Sequence, residues 1–182
     1  MTTGSYQFES LENTEFQTER LQQQAQAVRG IEANLLRSAG IEATHDVLEV
    51  GSGPGFVTSL LAELAPQGSV HALEPSPALL AQIQTNVTQP PAKGLFVHQG
   101  YGNAIPLPDH SIDFAYTRFV LQHVPHPEQV VADVHRVTRP GGRFCVVDSD
   151  DGLVLFQPEE SRVSRLLAAA QAAQARQGGD RF

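Results

Sequence analysis

Cysteine is almost absent. Cys145 is the single one in 182 residues, so no disulfide can form within the chain. It lies in the apolar run Arg143 to Val147, where a buried, inert thiol is expected. Basic residues are also scarce: 12 Lys and Arg stand against 20 Asp and Glu, for a net charge of −8, and no Lys/Arg run occurs. A phosphate backbone is repelled by that balance, which argues against nucleic acid as a partner, whereas a cationic small molecule is not repelled. No apolar stretch approaches the roughly 18 residues that a bilayer crossing needs. Met1 to Ser10 is polar and has neither the basic nor the apolar region of a signal peptide. A cytoplasmic protein without membrane insertion is therefore expected. Its 41% hydrophobic and 18% charged residues are ordinary for one globular domain.

Proline is missing from Ser5 to Gly53. Within that stretch Leu21, Ala25, Val28, Leu35 and Leu36 recur at helical spacing, which predicts a helix from about Asn13 to Ala39, with a possible break at Gly30 and an end at Gly40. The period then changes. Short apolar runs predict strands at Val47 to Val50, Val70 to Leu73, Leu95 to Gln99, Ile112 to Tyr116 and Arg143 to Val147. Helical patterns separate them, ending at Pro66, at Val87 and before the turn Arg139-Pro140-Gly141-Gly142. A last helix carries Val163, Leu166, Leu167 and Ala170 on one face and runs to about Arg176. Strands alternating with helices, and apolar without clear alternation, predict an α/β fold: a doubly wound, mostly parallel sheet of about five strands with helices on both faces. Ligands in such sheets bind beyond the carboxyl ends of the strands, where the strand order reverses.

Two features sit at such positions. Glu49-Val50-Gly51-Ser52-Gly53-Pro54-Gly55 links a strand to a helix. Its glycines allow a tight turn and close approach of a ligand to the backbone, and the following helix presents free N–H groups there. The dinucleotide fingerprint G-x-G-x-x-G fails because position 56 is Phe56, and a P-loop fails because no Gly-Lys-Ser/Thr follows. One strand–helix–strand unit later the chain reads Leu73-Glu74-Pro75. A carboxylate at that strand end can accept both hydroxyl hydrogens of a ribose.

These segments resemble the class I S-adenosylmethionine-dependent methyltransferases, most closely the small-molecule branch that includes the quinone-biosynthesis C-methyltransferases. The resemblance runs from about Val47 to Val147. Val47 to Gly55 is similar to the family's first motif, Leu73-Glu74-Pro75-Ser76 to its ribose-binding strand end, Gly102 to Asp113 to its adenine-side segment, and Val137 to Arg143 to the turn before the fifth strand. It implies S-adenosyl-L-methionine as cofactor and a Rossmann-like domain over residues 41–182, with residues 1–40 as a helical segment packed on it. It further implies that Glu49, Gly51, Ser52, Gly53 and Gly55 meet the methionine part of the cofactor. Glu74 and Pro75 would bind the ribose, Asn103 and Ala104 the adenine, and Arg118, just past the fourth strand, the methionine carboxylate or the substrate. Asn103 stands where the family usually has Asp; its amide still offers a carbonyl acceptor without charge. The family sheet closes with an antiparallel strand pair that this chain does not reach, so a C-terminally short member is expected, with a fifth strand open to pairing with another chain and hence to homo-oligomers.

Methyl transfer is an in-line displacement in which the protein mainly aligns the acceptor and excludes water. His123, beyond the fourth strand, is the candidate general base, with a loop-spacing role as the alternative. His98 and Tyr101 flank the third strand end, and Asp148, Asp150 and Asp151 follow the fifth strand; a solvated acidic loop is the simpler reading of the acids, and no metal is expected. Thr117-Arg118-Phe119-Val120 lacks the Asn/Asp-Pro-Pro-aromatic signature of nucleic-acid amino-methylating enzymes, which points to a small organic acceptor. Its determinants would fall in the N-terminal region around Tyr6, Phe8 and Phe16. The sequence thus predicts an S-adenosylmethionine-dependent methyltransferase, with a non-catalytic cofactor-binding module or truncated fragment as the alternative, and a nicotinamide oxidoreductase disfavoured by Phe56.

Overall fold

The computed structural model describes residues 14–150 and 160–179. Tyr6, Phe8 and Asp151 lie outside them. The element order is α1 (Thr14–Ala39), β1 (Val47–Val50), α2 (Phe56–Leu64), β2 (Ser69–Glu74), α3 (Pro77–Asn86), β3 (Gly94–Gln99), β4 (Ile112–Arg118), a 3₁₀ turn (Leu121–His123), α4 (Pro127–Val137), β5 (Thr138–Val147) and α5 (Ser161–Arg176). The five strands form one parallel sheet in the order β3-β2-β1-β4-β5. This is the doubly wound, Rossmann-like architecture that the sequence predicts. The chain winds outward from β1 to β3, then crosses back to place β4 on the other side of β1. The strand order therefore reverses between β1 and β4.

β1 is fully buried because it is the middle strand with helices on both faces. Alternate residues of the strands enter two cores. Val47, Val70, Ala72, Phe114 and Tyr116 pack with Val57, Leu60 and Leu61 of α2, Ile83 of α3 and Leu36 of α1. Leu48, Val50, Leu73, Ile112 and Ala115 pack with Val130, Val134 and Val137 of α4 on the opposite face. At the amino end of the sheet, Asp46 accepts hydrogen bonds from the Ser69 N–H (3.1 Å) and hydroxyl (2.9 Å) and pairs with Lys93 (3.1 Å), while Arg139 bridges Asp113 and Asp46. This ionic node ties the starts of the strands together and leaves their carboxyl ends to carry the site.

Four elements depart from the sequence pattern. Helix α1 continues through Gly30, and its buried stripe is Ala25, Glu32, Ala33 and Leu36, whereas Val28 and Leu35 are exposed. The stripe is rotated because Glu32 has buried polar partners that helical spacing cannot reveal. Arg118 is the last residue of β4 rather than a residue beyond it, because pairing with Val147 extends the strand. β5 begins at Thr138 instead of Arg143: Ile112 pairs with Thr138 and Phe114 with Arg143, so the Pro-Gly-Gly segment forms a bulge inside the strand rather than a turn before it. On α5, Val163 and Leu167 are half-buried but Leu166 and Ala170 are exposed. That helix is anchored through Gln174, whose Nε2 donates to the Gln122 carbonyl (2.7 Å).

Phe114 is fully buried at the centre of the sheet. Truncation to alanine leaves a cavity in a parallel core that cannot collapse freely. Phe114→Ala is expected to lower unfolding free energy by about 3–5 kcal/mol, read from urea denaturation; a loss under about 1 kcal/mol would show that the site relaxes.

Candidate active site

The glycine loop leaves β1 at the point of strand-order reversal. Gly51, Gly53 and Gly55 all have positive φ, +73°, +54° and +91°. At Gly51 any side chain is excluded twice over, by φ and by Val120, whose Cγ2 would lie 2.3 Å from an added Cβ. Gly53 differs: an added Cβ meets nothing within 4 Å, so this peptide borders open space. Gly55 is the N-cap of α2 and supplies no side-chain cap; α2 also has no acidic residue in its first turn. The positive end of the α2 dipole therefore lacks a side-chain anion from its own helix at the edge of this space. The Ser52 hydroxyl is buried and has no hydrogen-bond partner, the single such side-chain atom among the described residues.

Glu74 ends β2 and turns back to the loop. Its Oε2 accepts the Gly53 N–H (2.9 Å) and its Oε1 accepts the Ser76 N–H (3.0 Å). Each carboxylate oxygen has two lone pairs, so the carboxylate can brace the loop and still accept a ligand hydroxyl. Pro75 follows at the start of the turn into α3, where the Ser76 hydroxyl accepts the Leu79 N–H.

Glu49 faces the α2 side and accepts the Thr58 hydroxyl (2.5 Å). Burial pushes its carboxyl from an ordinary 4.5 up to about 8, with the Glu32 and Glu74 charges adding to the rise and Thr58 and Arg118 opposing it. Glu32 reaches this face from α1. It accepts the hydroxyl hydrogen of fully buried Tyr116 and pairs with Arg118 through Nη1 (3.0 Å). Burial and then the Glu32 bond push the Tyr116 phenol upward. The guanidinium also lies 5.5 Å from the Phe119 ring centroid. Phe119 holds a positive φ of +56° at the strand end.

The segment from Gly102 to Asp113, similar to the family's adenine-side segment, is held from α4. Asp133 accepts the Ile105 N–H (2.5 Å), and Arg136 donates to the Ile105 and Leu107 carbonyls (2.8 and 2.9 Å). Asn103 is exposed, its amide donating to Gln129 (3.4 Å). Ala104, which the resemblance places at the adenine, donates its N–H to the Tyr101 carbonyl (3.0 Å), because residues 101–104 form a tight turn. His123 is half-buried in the 3₁₀ turn, whose N-cap Val120 packs on Gly51. Gln122 is the hub of that turn, accepting from Ser149 (2.9 Å) and Gln174 and donating its N–H to Asp148 (3.2 Å).

Glu49, Gly51, Ser52, Gly53, Gly55, Glu74 and Arg118 thus gather around the ends of β1, β2 and β4. Asn103 and Ala104 lie on the α4 side, and His123 borders the loop through Val120. His98 faces elsewhere, bonded to His71 (3.1 Å); burial lowers both imidazoles, His71 to about 4. Sequence reasoning missed Glu32, Tyr116, Thr58, Asp133 and Arg136. Only the last pair left a signal, an Asp–Arg spacing of three on one helix.

The elevated Glu49 carboxyl gives stability a definite pH dependence. The folded state keeps a proton that the unfolded state releases above 4.5, so the contribution is complete below 4.5 and is lost as pH rises through about 8. Glu49→Gln is neutral at every pH and keeps an acceptor for Thr58. Its melting temperature relative to wild type is expected to climb between about pH 5 and pH 8 and then level off; a pH-independent difference would contradict the protonated state of Glu49.

Comparison with known proteins agrees with this geometry. A family described as "Methyltransferase domain" matches residues 48–146, from the start of β1 to the end of β5. An uncharacterized 37.1 kDa protein in transposon TN4556 of Streptomyces fradiae is 34% identical over 135 residues, covering 73% of this chain and 39% of that protein. A demethylmenaquinone methyltransferase of Listeria monocytogenes is 30% identical over 110 residues, 60% of this chain and 46% of that one. The crystal structure of an S-adenosylmethionine-dependent methyltransferase from Aquifex aeolicus shares the fold with a TM-score of 0.61 at 24% identity, covering 75% of this chain and 77% of that chain. The chain spans half or less of the length of the curated relatives it matches. A glycine loop at the strand-order reversal, a braced acid at the end of β2 and a family match over more than half the chain lead to one assignment: the chain belongs to the methyltransferase-domain family, the class I S-adenosylmethionine-dependent methyltransferases.

Proposed function

We propose that the protein transfers a methyl group from S-adenosylmethionine to a small organic acceptor in the crevice between the ends of β1 and β4. The observation that carries the reading is the bond from the Gly53 N–H to Glu74, which fixes the carboxylate read here as the ribose acceptor against a backbone with open space beside it. The residues present fit the cofactor. The orphaned Ser52 hydroxyl, the clear space at Gly53 and the α2 N-terminus without a side-chain cap are polar groups that a ligand would satisfy.

In this reading Gly51, Ser52, Gly53 and Gly55 shape the backbone cradle, and Glu49 supports it from below. Glu74 accepts from the ribose hydroxyls while Pro75 sets the turn that aims it. Asn103 and Ala104 border the adenine. When bound, the cofactor supplies an activated methyl group, so the protein's task is alignment and exclusion of water. His123 stands beside the loop as a base for an acceptor that must lose a proton. The net charge of −8 favours a small acceptor over nucleic acid. No helix among the described residues is long and apolar enough to cross a membrane.

Calorimetric titration with S-adenosylhomocysteine, with NADH as control, tests the cofactor reading. Micromolar binding of the former alone is expected, and formation of S-adenosylhomocysteine from S-adenosylmethionine with an acceptor panel separates an enzyme from a binding module. Glu74→Ala is expected to weaken S-adenosylhomocysteine by about 1.5–3 kcal/mol, the loss of a charge-assisted hydrogen bond. An unchanged dissociation constant in a variant of normal melting temperature would remove Glu74 from the site.

A further inference from the structure

Glu32 is a charged residue on the buried stripe of a helix, and only 5% exposed. A lone carboxylate there is costly, so its partners define its role. One oxygen is used by the Tyr116 hydroxyl and the other by the Arg118 guanidinium, both at the carboxyl end of β4. Arg118 in turn is only 13% exposed at its side chain. A guanidinium carries five N–H donors. Glu32 takes a bond from Nη1, while Nε and Nη2 have no acceptor among the described residues. These donors belong to a cation at the crevice: β1 and β4 pair at Val50 and Thr117, so the next residue of each strand is Gly51 and Arg118. The positive end of α2 opens on the same loop. A half-used guanidinium and an uncapped helix N-terminus together call for an anion with two oxygens, a carboxylate above all.

We propose that Glu32 is a positioning residue that clamps Arg118 by one nitrogen, so that the remaining face of the fork receives the carboxylate of the cofactor's amino-acid end. This rests on the cofactor reading above. Tyr116 completes the clamp by holding the second Glu32 oxygen, which stops the carboxylate from chelating Arg118 with both oxygens and so consuming the fork. The helix α1 is thereby coupled to one end of the cofactor and not to the other. Ligands that contain the amino-acid end should sense the clamp; ligands that lack it should not.

The test compares S-adenosylhomocysteine with 5′-methylthioadenosine, which keeps the adenosine and sulfur but lacks the amino-acid carboxylate. Glu32→Gln retains an acceptor for Tyr116 and loses the charge that fixes Arg118. It is expected to weaken S-adenosylhomocysteine by about tenfold or more and to leave 5′-methylthioadenosine within about twofold of wild type. Arg118→Lys keeps a cation for Glu32 but has no fork, and should give the same selective loss; it carries the test if Glu32→Gln does not fold. Equal weakening of both ligands means that Glu32 merely supports the fold of α1, and no weakening of either means that Arg118 does not need it. Each result overturns the proposal. Failure of the wild-type protein to bind either ligand would instead overturn the cofactor reading.

Discussion

Everything about the site depends on β1 having a parallel neighbour on each side. The connection leaving β1 runs outward through α2 to β2, whereas β4 arrives from β3 and the connection leaving it runs the other way through α4 to β5, so the loops beyond β1 and β4 part and open a crevice. β1 is buried on both faces and four residues long, apolar except for Glu49. Its next residues must therefore turn at once, under α2 and against Val120, which is why Gly51 tolerates no side chain. The ionic node around Asp46 holds the opposite end of the sheet, so the carboxyl ends can be shaped by ligand demands without unpinning the strands.

The parts of this arrangement that were legible in the sequence are local in the chain. The glycine loop and Glu74 are each read from a handful of neighbouring residues, and the strand–helix alternation is a pattern of period. What stayed hidden is non-local. Glu32 looks like one more acid on a helix rich in Glu and Gln, and its partners are 84 and 86 residues away. Helical spacing puts Val28 and Leu35 on the apolar stripe for the same reason, since spacing alone cannot show that a carboxylate has a guanidinium waiting on β4. Pro-Gly-Gly in β5 is ordinary turn chemistry, and only pairing with β4 keeps it within the strand as a bulge. Ala104 illustrates the limit of transfer from a family: the motif is present, but the hydrogen bond of its N–H is decided by the turn it sits in.

The carboxyl ends of β1 and β2, with Glu32 arriving from α1, bring three buried carboxyl groups close to one guanidinium. Such a group of charges opposes folding unless each acid is handled separately, and three different devices are used. Glu74 is satisfied by two backbone N–H groups, Glu32 by a hydroxyl and a guanidinium, and Glu49 by holding its proton with a hydroxyl as partner. A core built for stability alone would place apolar residues at these positions. Their presence at the carboxyl ends of the strands contrasts with the apolar packing nearer the amino ends at Val47, Val70 and Phe114, which holds the sheet. Arg118 is the lone cation among these three acids and Glu49 keeps its proton, so the group retains a net negative potential that the protein maintains at a cost to its own stability.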